Sequence, residues 1–262
     1  MKLKKLFDIW KRNAALRISE SMAYKMGFLL QCISLFIGDL IIPFVSVVMY
    51  SISNGIPGWS LNQFILFQGT LIFVIGLWHA FFASVLGLTI DSIEEGTFDK
   101  ILLRPFNSLA YLMTISFDLE GLAEVFAGIC IVGFALIKLN LFSWLLLPYA
   151  LIIILALLFE LSLTVIASAF AFLFIKTWRL FELINVVERF ARYPADIYSF
   201  SIRFIITFLV PAAIASYYPV GVLLGRIPLT TVIWVALPVF VFFGVSLVLW
   251  HFAIRKYTSA GG

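Results

Sequence analysis

Residues 91–108 read DSIEEGTFDKILLRPFNS, a charge-dense stretch with a Gly and a Pro that lies between two long apolar runs. Those runs decide the class of protein. The chain of 262 residues is 63% hydrophobic and 12% charged, with a mean hydropathy of +1.10, whereas a soluble domain carries about 25% charged residues. Several apolar runs exceed the roughly 18 residues that indicate a membrane helix. The sequence therefore predicts an all-α membrane protein, because a membrane barrel would show ~10-residue alternating segments.

The apolar runs predict about six transmembrane helices. They cover approximately residues 26–50, 64–90, 111–137, 145–175, 202–218 and 231–252. Residues 1–25 precede them and form a basic amphipathic helix, with Trp10 expected at the level of the lipid headgroups. Such a helix fits an anionic membrane surface or a groove on a partner protein, and we favour the membrane.

Two further segments depart from the pattern of spans. Residues 176–199 place apolar and charged side chains on opposite faces of a helix, which predicts a cytoplasmic amphipathic segment. Residues 216–230 are apolar but contain Pro and Gly, which indicates an extracellular re-entrant segment before the last span. The residues expected to shape this re-entrant segment are Tyr218, Pro219, Gly221 and Gly225.

The distribution of basic residues predicts the orientation. Six spans place both termini on one side of the membrane. Assigning that side to the cytoplasm leaves only Lys138 and Arg226, of 18 Lys and Arg residues, on the other side. Because cytoplasmic loops are enriched in Lys and Arg, we predict that both termini are cytoplasmic. The basic charge thus reports orientation, and we do not expect nucleic-acid binding.

The sequence gives little support for catalysis in this chain. It has no GxxxxGK[ST] stretch, and therefore no Walker-type nucleotide site, and it lacks the HExxH, CxxC and GxSxG patterns. Cys32 and Cys130 lie inside apolar runs without the spacing of zinc ligands, so we interpret them as small buried residues. We expect neither a metal nor a cofactor in this chain.

Three ionisable residues, Asp39, His79 and Glu160, are expected near the middle of the membrane. Such groups are costly in a bilayer and usually face the interior of the bundle or a cavity. One interpretation is a proton relay or a polar pocket for a substrate. The other, which we favour, is a set of neutral, hydrogen-bonded side chains that stabilise helix packing.

The loop at residues 91–108 carries a second signal. Its charged residues surround Gly96. An apolar stripe follows, made of Phe98, Ile101, Leu102 and Leu103. The stripe either dips into the lipid headgroups or docks into a groove on a cytosolic partner, and we favour the partner. A short helix on a rigid pair of spans can pass the closure of that partner to the bundle as a rigid-body tilt.

The chain resembles the ABC-2 type permeases, and among them the bacterial ABC exporter-like permeases of uncharacterised substrate. The resemblance is carried by EGTFDKILLRPFNSL (residues 95–109), PAAIASYYPVGVLLG (residues 211–225) and the YTSAG tail (residues 257–261). The order of a basic amphipathic start, six spans and a broken segment before the last span extends it over the whole chain.

The resemblance implies a half-transporter in a bacterial cytoplasmic membrane. Two permease chains, identical or paired with a sister permease, would pack around one pathway. Two separate ATP-binding cassette ATPase subunits would bind from the cytosol and hold ATP and Mg²⁺. The loop after the second span acts as the coupling helix in such permeases. That role carries over to Glu94, Glu95, Phe98, Asp99, Ile101, Leu102 and Arg104.

Two other function classes remain open at this point. A proton-coupled secondary transporter could use Asp39, His79 and Glu160. Against it, the two halves of the chain show no obvious repeat of the kind that such carriers often have. A membrane-embedded enzyme is disfavoured because the sequence lacks clustered His or Cys ligands.

Overall fold

The computed structural model describes residues 2–53, 55–173, 182, 186 and 189–258. In chain order its α-helices are α1 (Lys2–Ala23), α2 (Lys25–Ile52), α3 (Leu61–Glu94), α4 (Phe98–Leu102), α5 (Ser108–Ile115), α6 (Gly121–Leu139), α7 (Leu146–Ala171), α8 (Phe200–Phe204), α9 (Tyr217–Leu223) and α10 (Thr231–Lys256). Within the described residues, five helices are long and apolar enough to cross a membrane: α2, α3, α6, α7 and α10. This confirms the expected all-α membrane class.

The bundle has two ends, which we name by the connections found there. The loop end contains residues 95–107, and the turn end contains residues 55–60 between α2 and α3. At the loop end, the ring of Phe98 packs against Phe172, which follows α7, and against Trp250 of α10. At the turn end, Thr70 of α3 and Tyr149 of α7 share a hydrogen bond of 2.9 Å. The long helices thus run along the direction that joins these two ends.

Helices α3 and α6 form the tightest pair in the bundle, and glycines make their close approach possible. A Cβ atom added to Gly128 of α6 would lie 2.6 Å from Cα of Phe73, and one added to Gly76 of α3 would lie 2.6 Å from the backbone nitrogen of Val125. Small residues at helix contacts are typical of membrane proteins, where association depends on close packing and not on the expulsion of water.

A π-helical segment, His79–Ala83, interrupts α3 at the level where the chain turns from α5 into α6. The backbone N–H of Asp118 donates to the carbonyl of Ala80 over 2.9 Å, and the hydroxyl of Ser116 donates to the carbonyl of Phe81 over 2.7 Å. The π-helical segment and the connection from α5 to α6 are therefore hydrogen-bonded to each other.

The expected fifth span, residues 202–218, is not a continuous helix. Helix α8 passes into a second π-helical segment, Ile205–Leu209, which ends before Pro211. Ten residues from Phe200 to Leu209 cover only about 15 Å at 1.5 Å per residue, half of the roughly 30 Å hydrocarbon layer. The chain then turns through a 3₁₀ segment, Ala212–Ala215, into α9, so residues 200–223 enter and leave the bundle at the turn end.

The described part of the segment at residues 176–199 lies at the turn end. The indole nitrogen of Trp59 donates to Asp196 over 3.2 Å, and the side-chain amide of Gln68 donates to the carbonyl of Arg192 over 3.5 Å. We expected this segment at the same end as residues 91–108, and the contacts place its C-terminal part at the opposite end. The rest of the segment, apart from residues 182 and 186, lies outside the described residues.

Helix α1 lies against α5 at the loop end and continues after Tyr24 into α2. Ala14 is buried in this contact, and the ring of Trp10 packs edge-on against Phe117 at 5.8 Å. Phe7 and Leu16 remain exposed on other faces. The expected contact of α1 with lipid stays a prediction, and these exposed side chains suit it.

The close packing of α3 and α6 leads to a first prediction. We expect Gly128→Ala to destabilise the protein by about 1–3 kcal/mol, because the new methyl group overlaps the backbone of Phe73. The measurement is thermal unfolding of the purified chain in detergent.

Gly133 on the same helix is the matched control, since a Cβ atom there meets nothing within 4 Å. Gly133→Ala should be neutral or should stabilise the helix by up to about 1 kcal/mol. Equal unfolding temperatures for the two variants would contradict the close packing.

Candidate functional site

The loop at residues 95–107 is a short, ordered structure. The N–H of Thr97 donates to the carbonyl of Ser92 over 2.8 Å, which closes the end of α3. Gly96 has a φ of +66°, a left-handed conformation that residues with a side chain rarely adopt. The glycine therefore lets the chain reverse sharply, and α4 begins two residues later.

Phe98 and Ile101 attach α4 to the body of the bundle. Phe98 is fully buried, with its ring centroid 4.8 Å from that of Phe172 and 5.4 Å from that of Tyr257. Ile101, almost one helical turn later, is buried beside it. These two residues thus anchor the loop to α7 and to the C-terminal end of α10, and neither is available to a partner.

The rest of the loop presents a surface that nothing in the described chain covers. We define the loop surface as Glu94, Glu95, Leu102, Leu103 and Arg104, all of which are exposed. Leu103 is 85% exposed, which is unusual for an apolar side chain at the end of a helix that is otherwise anchored. Asp99 lies at its margin and is half-buried. The guanidinium of Arg104 lies over the ring of Tyr111 at 4.5 Å, which orients it.

A second group of polar side chains lies where α2, α3 and α6 meet. The Nδ1 atom of His79 lies 2.5 Å from Oε2 of Glu124, and the Glu124 side chain is only 8% exposed. Asp39 of α2 is close enough for its charge to interact with both. One carboxylate oxygen of Asp39 is buried and has no hydrogen-bond partner among the described residues. We call Asp39, His79 and Glu124 the polar cluster.

The polar cluster includes a residue that the expected set lacked. That residue is Glu124, which lies in the first turn of α6. The cluster is therefore near the loop end of α6 and not halfway along it. The side chain of Glu160 is buried in α7, and its backbone carbonyl accepts from the hydroxyl of Thr164, which in turn accepts from the indole of Trp78. Gly121 and Gly128 flank Glu124 at helical spacing, which is the sequence signal for a close contact on that face.

A cleft of about 380 Å³ opens at the connection from α5 to α6. It lies between the end of α1, the start of α2 and the connection from α5 to α6. Its polar lining includes Arg17, Glu20, Asp118 and Glu120. Burial raises the pKa of Glu120, and the nearby Asp118 carboxylate raises it further. Arg17 and Glu20 form an exposed ion pair of 3.3 Å at the rim.

At the turn end, the residues expected to shape the re-entrant segment lie in or beside α9. Pro219 and Gly221 are buried, and the hydroxyl of Tyr218 shares a hydrogen bond of 2.9 Å with Thr207. Gly225 has a φ of +68° and begins the loop to α10. The structure places these residues together, but it assigns them no ligand.

Polar contacts connect this segment to residues 55–60. Tyr217 donates to Asp196 over 2.6 Å, and the same carboxylate accepts from Trp59 over 3.2 Å. Arg226 donates to Gln63 and to the carbonyl of Gly58, and it stacks over Trp59 at 4.8 Å. The turn end is thus closed by side chains from both halves of the chain.

The described residues contain no group of three or more His, Cys, Asp or Glu side chains that could hold a metal ion.

The two sides of α4 lead to a second prediction. We expect Phe98→Ala to lower the free energy of unfolding by about 3–5 kcal/mol, because it empties a site enclosed by aromatic rings. Leu103→Ala should leave stability unchanged, since Leu103 is 85% exposed. Thermal unfolding of both variants in detergent measures the difference. A stable Phe98→Ala variant would show that Phe98 does not anchor the loop.

Comparison with known proteins gives a family match. A search of curated proteins found no match, and no solved structure matched the chain. A family model described as "ABC-2 family transporter protein" matches residues 33–261, which include every membrane-spanning helix except the start of α2, as well as the loop surface and the polar cluster. The chain therefore belongs to the ABC-2 family of transporter proteins and is a membrane permease of an ABC transporter.

Proposed function

We propose that this permease is the membrane-spanning subunit of an exporter that is driven by a separate ATP-binding cassette ATPase. The ATPase docks on the loop surface and holds the ATP and Mg²⁺. This proposal is based on the two sides of α4, which differ in burial. One side is locked into the bundle through Phe98 and Ile101, and the other exposes Leu102 and Leu103.

A helix that is buried on one side and exposed on the other can transmit movement from a partner to the bundle. A partner that pulls on the loop surface would act on α3 directly, since α3 ends at Glu94, only four residues before α4 begins. It would act on α10 and on the end of α7 through the aromatic contacts of Phe98. Packed elements of this kind respond as rigid bodies, so a small displacement at the loop becomes a tilt of three helices.

We further propose that the loop end faces the cytoplasm. Both termini lie at this end, because α1 packs against α5 and Tyr257 packs against Phe98. The basic residues of α1 are then cytoplasmic together with Arg255 and Lys256, as the distribution of charge in membrane proteins favours.

The bias in basic residues is smaller than the sequence suggested, because Arg192 and Arg203 lie at the turn end with Lys138 and Arg226. Two of these four are engaged there. Arg203 donates to the carbonyls of Ala195 and Asp196, and Arg226 is held at Gln63.

A second permease chain, identical or a sister, completes the proposed transporter. Helix α2 is the least enclosed of the spanning helices, and only Pro43 and Ser46 are buried among its described residues. Its apolar surface must therefore face lipid or another membrane helix. A pathway between two chains would leave such a helix available for contact.

The test of the proposed function is recovery of the ATPase from native membranes with the tagged chain. We expect the wild type to recover an ATP-binding cassette ATPase. A Leu102→Ala, Leu103→Ala double variant should reduce that recovery at least about tenfold, because the two truncated side chains lose apolar area that docking would bury.

The matched control is Leu147→Ala, Leu151→Ala, which makes the same chemical change at two exposed positions of α7. It should recover as much ATPase as the wild type. Undiminished recovery with the loop variant would refute docking at the loop surface. If the wild-type sample contains no ATPase, the proposal that an ATPase drives this permease is contradicted.

A further inference from the structure

The polar cluster holds two carboxyl groups and one imidazole. When the imidazole of His79 is protonated, it donates from Nδ1 to Glu124, and these two charges cancel. The carboxylate of Asp39 is then the remaining charge, and one of its oxygens is buried with no hydrogen-bond partner among the described residues. A charge without a counter-charge is strongly disfavoured between membrane helices.

The groups around the cluster do not supply the missing positive charge. On α2, the nearest further ionisable group is Cys32. The connection from α5 to α6 adds two more carboxyl groups, Asp118 and Glu120. On α1, Arg17 is 3.3 Å from Glu20 and exposed. Glu160 is a buried carboxyl on α7, which packs against the π-helical segment that carries His79, and it adds no positive charge. The described elements packed around Asp39 thus add negative groups. Binding a proton is the simplest way to neutralise the carboxylate of Asp39.

The position of Asp39 makes this proton important for α2. Few apolar contacts hold α2 to the rest of the bundle. One of them is the contact of Phe36 with Phe126, whose ring centroids are 6.3 Å apart. In contrast, α3 and α6 are fixed to each other by their glycines. If Asp39 is ionised, it repels Glu124 across the weaker of these interfaces.

We propose that Asp39, His79 and Glu124 form a proton-binding site that controls the docking of α2 on α3 and α6. One proton converts the carboxylate of Asp39 to the neutral acid and brings the charge of the cluster from −1 to zero. In that state α2 is docked. When the pH rises and the proton leaves, Asp39 and Glu124 repel each other and α2 separates from the pair.

The test measures the distance from α2 to α6 as a function of pH. Nitroxide labels are attached at Ile41→Cys and Phe134→Cys, two exposed positions, in a chain whose Cys32 and Cys130 are replaced by Ser. The labelled chain is reconstituted in liposomes and then moved between about pH 5 and pH 8, a range that includes the ordinary pKa of imidazole and lies above that of a carboxyl group. Labelling precedes the change of pH, so thiol chemistry does not affect the result.

We expect the short-distance population to fall as the pH rises. Asp39→Asn, which mimics the protonated acid, should retain that population at every pH. His79→Gln removes the positive charge that favours the ionised carboxyl groups and should therefore move the transition to higher pH. Glu94→Gln changes an exposed carboxyl of the loop surface and should titrate as the wild type does.

A distance distribution that does not change with pH in the wild type would overturn the proposal. So would an Asp39→Asn variant that responds like the wild type. Glu124→Gln gives an independent check, since removing the repelling partner should also abolish the response. No ATPase is present in this measurement, so its outcome is separate from whether one docks on the loop surface.

Discussion

The fold depends on one constraint: a polypeptide in a membrane must satisfy its own backbone hydrogen bonds. The π-helical segment of α3 and the turn from α5 to α6 both depart from regular helix, and they do so at the same level. Their peptide groups pair through Asp118 with Ala80, and the Ser116 hydroxyl bonds to Phe81. Neither irregularity could exist alone at this depth without a large cost. Together they allow α3 and α6 to pack closely toward the turn end, while α3 continues toward the loop end and carries α4 and α5.

This pairing divides the permease into two regions with different tasks. Toward the turn end, the glycine contacts of α3 and α6 form a rigid pair around which the other helices gather. Toward the loop end, the second half of α3 carries α4 and α5 and is tied to α7 and α10 by an aromatic cluster. The polar cluster lies at the boundary, because the π-helical segment begins at His79 and α6 begins three residues before Glu124. The polar cluster therefore lies between the loop end and the close contact of α3 with α6.

Much of this organisation could be predicted from the sequence. The apolar runs predicted the class of protein, and the charged stretch between two of them predicted the loop. Both follow from the order of apolar and charged residues along the chain. The end at which Arg192 and Asp196 lie could not be predicted, because an amphipathic pattern shows which face of a helix is polar but not where the helix sits. The burial of Phe98 could not be predicted either. In a five-residue helix with several apolar side chains, only the tertiary contacts decide which one is buried. Glu124 was visible as an acidic residue, but its pairing with His79 depends on the π-helical segment, which has no sequence signature.

The central claim is that an ATPase binds at the loop surface, and photo-cross-linking from a single position tests it most directly. A photoreactive amino acid replaces Leu103 in cells that express the full chain, and a parallel sample carries it at Leu147, which is 78% exposed at the turn end. The account predicts that irradiation joins an ATP-binding cassette ATPase to position 103 and not to position 147. Capture of the ATPase from position 147 alone, or of only lipid from position 103, would contradict it.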